Sequence, residues 1–175
     1  MEPPVHGTAG SHAYAPTRIQ VAMVREIPLA VFQYALEGHP TLTEYWNIVA
    51  LKSRQEAIIF ELAGNADTYT YITKENHNFS RITSLRGGVR VGSIPEDKIP
   101  WMQDILKQVF ILRHNLHAFD CQVWVVNALR LLRDHDEAII LQGMTSIGAL
   151  REELRQEMER WEAADETLEE REYPE

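Results

Sequence analysis

The sequence predicts an α+β protein in which an antiparallel sheet of four to six strands comes first and helices pack on it afterwards. Two observations carry that expectation. Up to Ile94, short runs rich in β-branched and aromatic residues alternate with Gly, Pro and Asn turn signals. Beyond Pro100 the apolar residues recur at intervals of three and four, the period of an amphipathic helix. The length, 175 residues, matches one domain with one core. Domains near that size bury about 68–70% of their unfolded surface and need no staples.

Residues 1–17 are rich in Pro, Gly, Ala and His without periodicity and are expected to form a disordered leader. Residues 18–145 are expected to form the α+β domain, and 146–175 an acidic helix and tail. Ile19–Val24 is a plausible first strand. A second apolar stretch, Leu29–Leu36, ends at the turn signal Gly38-His39-Pro40. Tyr45–Leu51 and Ala57–Leu62, joined by Lys52-Ser53-Arg54-Gln55, read as a hairpin that Thr68–Ile72 would extend. The chain is polar from Thr73 to Arg86, and Gly87-Gly88 then introduces a half-buried strand, Val89–Ile94.

The helices follow. Met102, Ile105, Leu106, Val109 and Phe110 mark the first, and Arg113-His114-Asn115 breaks the pattern. Cys121, Trp124, Val125, Ala128, Leu129 and Leu132 form the stripe of the second, with Asp120 as its N-cap. A third begins near Ser146 and carries Leu150, Leu154, Met158 and Trp161 on a face that would pair with a second subunit if it did not dock on the sheet.

The formal net charge is −9, and seven of those charges fall in residues 151–175, where eleven acids face four arginines. A near-neutral body with an acidic end suits neither nucleic acid nor an anionic membrane surface, both of which require clustered Lys and Arg. The end itself reads as a solvated acidic face or as a recruitment tail for a basic partner. Cys121 is the lone cysteine, so no internal disulfide or paired-cysteine metal motif is possible. No apolar run approaches the ~18–20 residues of a membrane span, and Met1–Gly10 lacks the pattern of a secretory signal. The expectation is a soluble, cytoplasmic protein without cofactor or metal, whose partner is a small molecule or another protein.

Chemistry concentrates at Cys121. Free N–H groups and partial positive charge at a helix start stabilise a thiolate, and the same N–H groups can form an oxyanion hole. The alternative is structural: Cys121 shares the apolar stripe with Trp124 and Val125, and buried cysteine behaves as a small hydrophobe. Other motifs resolve simply. Arg86-Gly87-Gly88 lacks the Lys and Ser/Thr of a phosphate loop and reads as a turn. Ser80 and Ser84 are outside any Gly-x-Ser-x-Gly elbow. His114-x2-His117 matches a metal-ligand spacing only weakly. Trp46, Trp101 and Trp124 either pack the core or, with Tyr45, line a pocket beside Cys121.

The string Phe119-Asp120-Cys121-Gln122-Val123-Trp124-Val125 resembles the Asn-Cys-Gln-x-Trp-Val segment that opens the catalytic helix of circularly permuted NlpC-type, papain-like thiol proteins, the lecithin:retinol acyltransferase group among them. It is also similar to short, uncharacterised fungal proteins built in the same order. There, a hairpin strand with His-Trp and a Phe-Glu-Leu strand precede the cysteine helix. Here Tyr45-Trp46 and Phe60-Glu61-Leu62 hold those places. The resemblance implies a papain-like arrangement with Cys121 as nucleophile and a strand histidine as general base. This chain has Tyr45 or Trp46 at the base position, no histidine between residues 40 and 76, and Asp120 where the family has asparagine.

Two readings follow. In the first, the chain is a non-catalytic or degenerate papain-like thiol-fold protein, a small-ligand or protein-interaction module and fungal pathway accessory whose site involves Tyr45, Trp46, Asp120, Gln122 and Trp124. In the second it is a cysteine hydrolase or acyltransferase with Cys121 as nucleophile and an atypical base such as His77. The missing strand histidine favours the first.

Overall fold

The computed structural model describes residues 23–174. In chain order these form β1 (Glu26–Ala35), β2 (Glu44–Leu51), β3 (Ala57–Ala63), β4 (Thr70–Asn76), β5 (Leu85–Pro95), α1 (Ile99–Leu106), α2 (Cys121–Arg133), β6 (Ile139–Ile140), α3 (Ile147–Glu162) and α4 (Leu168–Glu172). The fold is α+β. Its six strands lie in the order β4-β3-β2-β1-β5-β6, and every neighbouring pair is antiparallel. The first four strands form a meander, and β5 then pairs with the free side of β1.

Both faces of the sheet are covered. On one, Ile27, Leu29 and Val31 of β1 and Trp46, Ile48 and Ala50 of β2 pack under α1 and α2. The α2 stripe is buried there as its spacing predicts, from Trp124 through Leu132. On the other face, Phe32, Val49, Leu51, Ile59 and Leu85 of the sheet pack with Phe79 and Leu168. The Phe32 and Phe79 rings meet edge to face, centroids 4.8 Å apart. Strands buried on both sides need no polar residues at alternate positions, which is why Ile48–Leu51 and Ala57–Phe60 are unbroken apolar runs.

Several boundaries differ from expectation. The leader and residues 19–22 of the first expected strand lie outside the described residues. Met23 and Val24 are exposed and belong to no strand: the β1–β5 ladder ends at Glu26↔Pro95, followed by one backbone bond from Glu96 N–H to the Arg25 carbonyl at 2.8 Å. β4 runs on through Thr73-Lys74-Glu75-Asn76, which read as loop because an edge strand carries polar side chains toward water. α1 stops at Leu106; Val109 is still buried, whereas Phe110 is 73% exposed.

The Gly87-Gly88 pair is not a turn but lies inside β5, beside a register shift against β1. A Cβ at Gly88 would stand 2.4 Å from the Phe32 ring. Gly87 has φ +93°, and a Cβ there would press on the Glu157 carbonyl of α3 at 3.2 Å. The two glycines let ring and helix come against the strand.

The 146–175 segment folds onto the sheet. Ser146 caps α3, Leu150 and Leu154 are buried in the first core, and Trp161 packs beside the second. The apolar stripe considered for a second subunit is thus largely used within the chain. Buried Gln33 of β1 donates to the carbonyls of Leu154 (2.5 Å) and Arg86 (3.1 Å). Glu157 accepts from Arg160 (2.9 Å) and Arg171 (2.8 Å), tying α3 to α4. Arg90 pairs with Glu172 at 3.0 Å. Among the described residues no helix is long and apolar enough to cross a membrane.

Candidate functional site

Asp120 is extended (φ −150°), and its Oδ1 accepts the Val123 N–H at 2.9 Å, closing the first turn of α2. Cys121 is therefore the first helical residue, as its position after a capping aspartate predicts. It lies at the wall of a cavity of about 270 Å3. Apolar and aromatic side chains supply most of the remaining lining: Leu36, Pro40, Leu42, Tyr45, Tyr69 and Leu116. Gly64, Asn65, Ala66 and Asp67 complete the lining from the β3–β4 connection.

Burial pushes the Cys121 thiol up to about 12, and the Asp120 carboxylate adds to the shift. Backbone N–H groups of Trp46, Cys121 and Gln122 act in the opposite direction without prevailing. Cys121 as a residue is 4% exposed, and its thiol is neutral near pH 7. Tyr45 is held above its ordinary range by burial first, then by Glu61 and Cys121. Its hydroxyl donates to the Leu62 carbonyl at 2.8 Å.

The residues named from sequence separate into two groups. Tyr45 and Cys121 share the cavity, with Asp120 holding the helix start beneath. Trp46, Trp124 and Gln122 do not line it. Trp124 is fully buried and stacks on Tyr71 with centroids 5.6 Å apart. Trp46 is 2% exposed and contributes its backbone rather than its ring to the sulfur's surroundings. Gln122 turns the other way: it donates to the Glu44 carbonyl at 3.2 Å and accepts from the Arg151 guanidinium at 2.9 and 3.1 Å. Trp101 is half-buried against His135, ring centroids 5.6 Å apart.

His77 lies in a different depression, exposed between Glu56 (3.8 Å) and Glu75 (3.9 Å). His114, at φ +63°, faces Asp67 at 2.9 Å without itself lining the Cys121 cavity. The imidazole that does line it is His39, in the Gly38-His39-Pro40 turn. Its Nδ1 accepts the N–H groups of Leu42 (3.0 Å) and Thr41 (3.2 Å), so the ring hydrogen sits on Nε2. In this tautomer the Nδ1 lone pair is engaged by the Thr41 and Leu42 N–H groups. Its only sequence signal was the Gly38-His39-Pro40 turn, which gives no hint that the 36–42 connection folds toward α2.

Among the described residues no three His, Cys, Asp or Glu side chains cluster as metal ligands would. No family model, curated protein or solved structure matches this chain at a significant level.

Proposed function

We propose that the chain is a non-catalytic, papain-like thiol-fold protein that binds a small, mainly apolar ligand in the Cys121 cavity. One observation carries the reading: the sulfur is buried as a neutral thiol among aliphatic and aromatic walls, beside an imidazole whose Nδ1 is already occupied. A nucleophile at neutral pH requires a thiolate, or a base able to make one. A binding cavity requires apolar walls and a few polar residues among them, here Cys121, His39 and Asp67. The papain-like arrangement draws support from the chain order, hairpin then Phe60-Glu61-Leu62 then cysteine helix, and from the Trp46 N–H that reaches the sulfur from the strand.

The rate of iodoacetamide alkylation against pH tests this. Slow modification that rises only in strongly alkaline solution is expected; a fast-reacting thiol with an apparent pKa below the free value of ~8.5 would overturn it. Screening apolar fragments by NMR should give saturable shifts at Leu36, Leu42 and Leu116, and shifts elsewhere only would count against the site.

The hydrolase or acyltransferase reading keeps one observation of its own. Three backbone N–H groups converge near a sulfur at a helix start, an arrangement that favours a thiolate and an oxyanion. In that reading His39 is the base after its ring leaves the Thr41 and Leu42 N–H groups. Hydrolysis of p-nitrophenyl acetate would then fall together in Cys121→Ala and His39→Gln.

A further inference from the structure

The sheet ends on β4, and that edge is open. β4 pairs with β3 over all seven of its residues, from Ala63↔Thr70 to Ala57↔Asn76, without a register shift. An antiparallel strand spends one side of its backbone on each neighbour. The other side of β4 therefore presents a row of N–H and C=O groups with no backbone partner among the described residues. The connection after α1 stops short of it: the His114 N–H reaches the Ala66 carbonyl and the Arg113 guanidinium the Tyr69 carbonyl, both before Thr70. The strand at the opposite end of the sheet, β6, has two residues.

Sheet edges are ordinarily blunted by shortness, a proline, a bulge or an unpaired charge. β4 has neither proline nor bulge, and its one cation, Lys74, is already held by Glu61 of β3 at 2.6 Å. Tyr71 packs against the first core, so strand alternation puts Tyr71, Thr73 and Glu75 on the α1 side and Ile72 and Lys74 on the other. On the α1 side a groove of about 380 Å3 lies along the edge, walled by Gln103 of α1 and Lys107 just beyond it. Thr73 Oγ1 donates to the Tyr71 hydroxyl at 2.7 Å, and the hydrogen of that hydroxyl has no acceptor among the described residues.

We propose that β4 is the interface for a second copy of this chain, whose own β4 adds antiparallel across a two-fold axis at Thr73. The sequence of the strand selects that register. An axis at Lys74 or Glu75 sets two lysines or two glutamates directly opposite, which is destabilising. An axis at Tyr71 or Ile72 leaves the end of β4 unpaired. The axis at Thr73 uses all seven residues and opposes Tyr71 to Glu75 and Ile72 to Lys74, with no like charges face to face. The second copy's Glu75 then enters the groove beside Tyr71. It brings an acceptor to the Tyr71 O–H and a negative charge to Lys107, whose ion-pair partner in its own chain is the exposed Asp104. Side chains project from the faces, so the polar residues of β4 keep their water while the backbone edge is consumed. None of these residues lines the Cys121 cavity, so the two readings are independent.

The test is sedimentation equilibrium of the full chain, joined to site-specific crosslinking. A concentration-dependent dimer is expected, and Thr73→Lys, which sets two like charges on the axis, should raise its dissociation constant about tenfold or more. A thermal melt shows whether that variant still folds. Crosslinking decides independently of it. Thr73→Cys should give a disulfide-linked dimer under mild oxidation, because directly opposite Cα atoms stand ~4.5–5.5 Å apart, within the reach of a disulfide. Glu75→Cys should not, since its two copies would lie about 14 Å apart along the paired strands. Cys121 is buried and does not compete. The proposal is overturned if the chain stays monomeric up to millimolar concentration, or if a folded Thr73→Lys dimerises as the wild type does. It is also overturned if Glu75→Cys crosslinks and Thr73→Cys does not.

Discussion

A thiol at the start of a helix ordinarily gains acidity, yet Cys121 loses it, because burial outweighs the converging N–H groups. The consequence for stability has a definite sign. The folded chain holds the proton to about 12, while an unfolded thiol releases it near ~8.5, so the native state binds more protons between those values. Its stabilising contribution is complete below the unfolded value and is lost as pH rises toward the folded one. Urea unfolding from pH 8 to 11 should show the wild type losing stability more steeply than Cys121→Ala. Tyr34 leads to the opposite kind of prediction. Its buried hydroxyl has no partner, so Tyr34→Phe should raise Tm, by about 2–4 °C if the relief is about 1 kcal/mol. At this scale the sequence was legible at Cys121, whose aspartate cap and apolar stripe are local signals. It was not legible at His39, Asn47 or Glu61. The last two simply interrupt apolar strands, and only cross-strand pairing shows that they meet.

Elements were readable wherever their own residues decide them. The Tyr45–Leu51 and Ala57–Leu62 hairpin and the Cys121 helix came through nearly to the residue, since apolar runs and three-four spacing are fixed by what each segment buries. Elements shaped by neighbours came through less well. β4 is polar because it is an edge, and β5 hides its first four residues behind glycines that accommodate Phe32 and Glu157. The α2 start depends on one hydrogen bond, Val123 N–H to Asp120 Oδ1. Asp120→Ala should cost about 1 kcal/mol in chemical denaturation. Asp120→Asn should retain most of that stability, because its amide oxygen accepts in the same place.

For the whole molecule, the sheet-then-helices class followed from the change of period near Pro100, but the role of the acidic end did not. Charge counting made residues 146–175 look like a solvated appendage. In the fold, Leu150, Leu154 and Leu168 fill both cores and Gln33 holds α3 by its carbonyl. Fully burying a Leu is worth about 1.5–3 kcal/mol, so a chain ending at Thr145 should lose its cooperative thermal transition. Circular dichroism would show that loss directly. Gln122 adds a further consequence. One buried carboxamide holds the Glu44 carbonyl of β2 and the Arg151 guanidinium of α3 from the first turn of α2. Three segments distant in the chain therefore loosen through a shared latch, and after Gln122→Ala deuterium should enter all three at one common, faster rate.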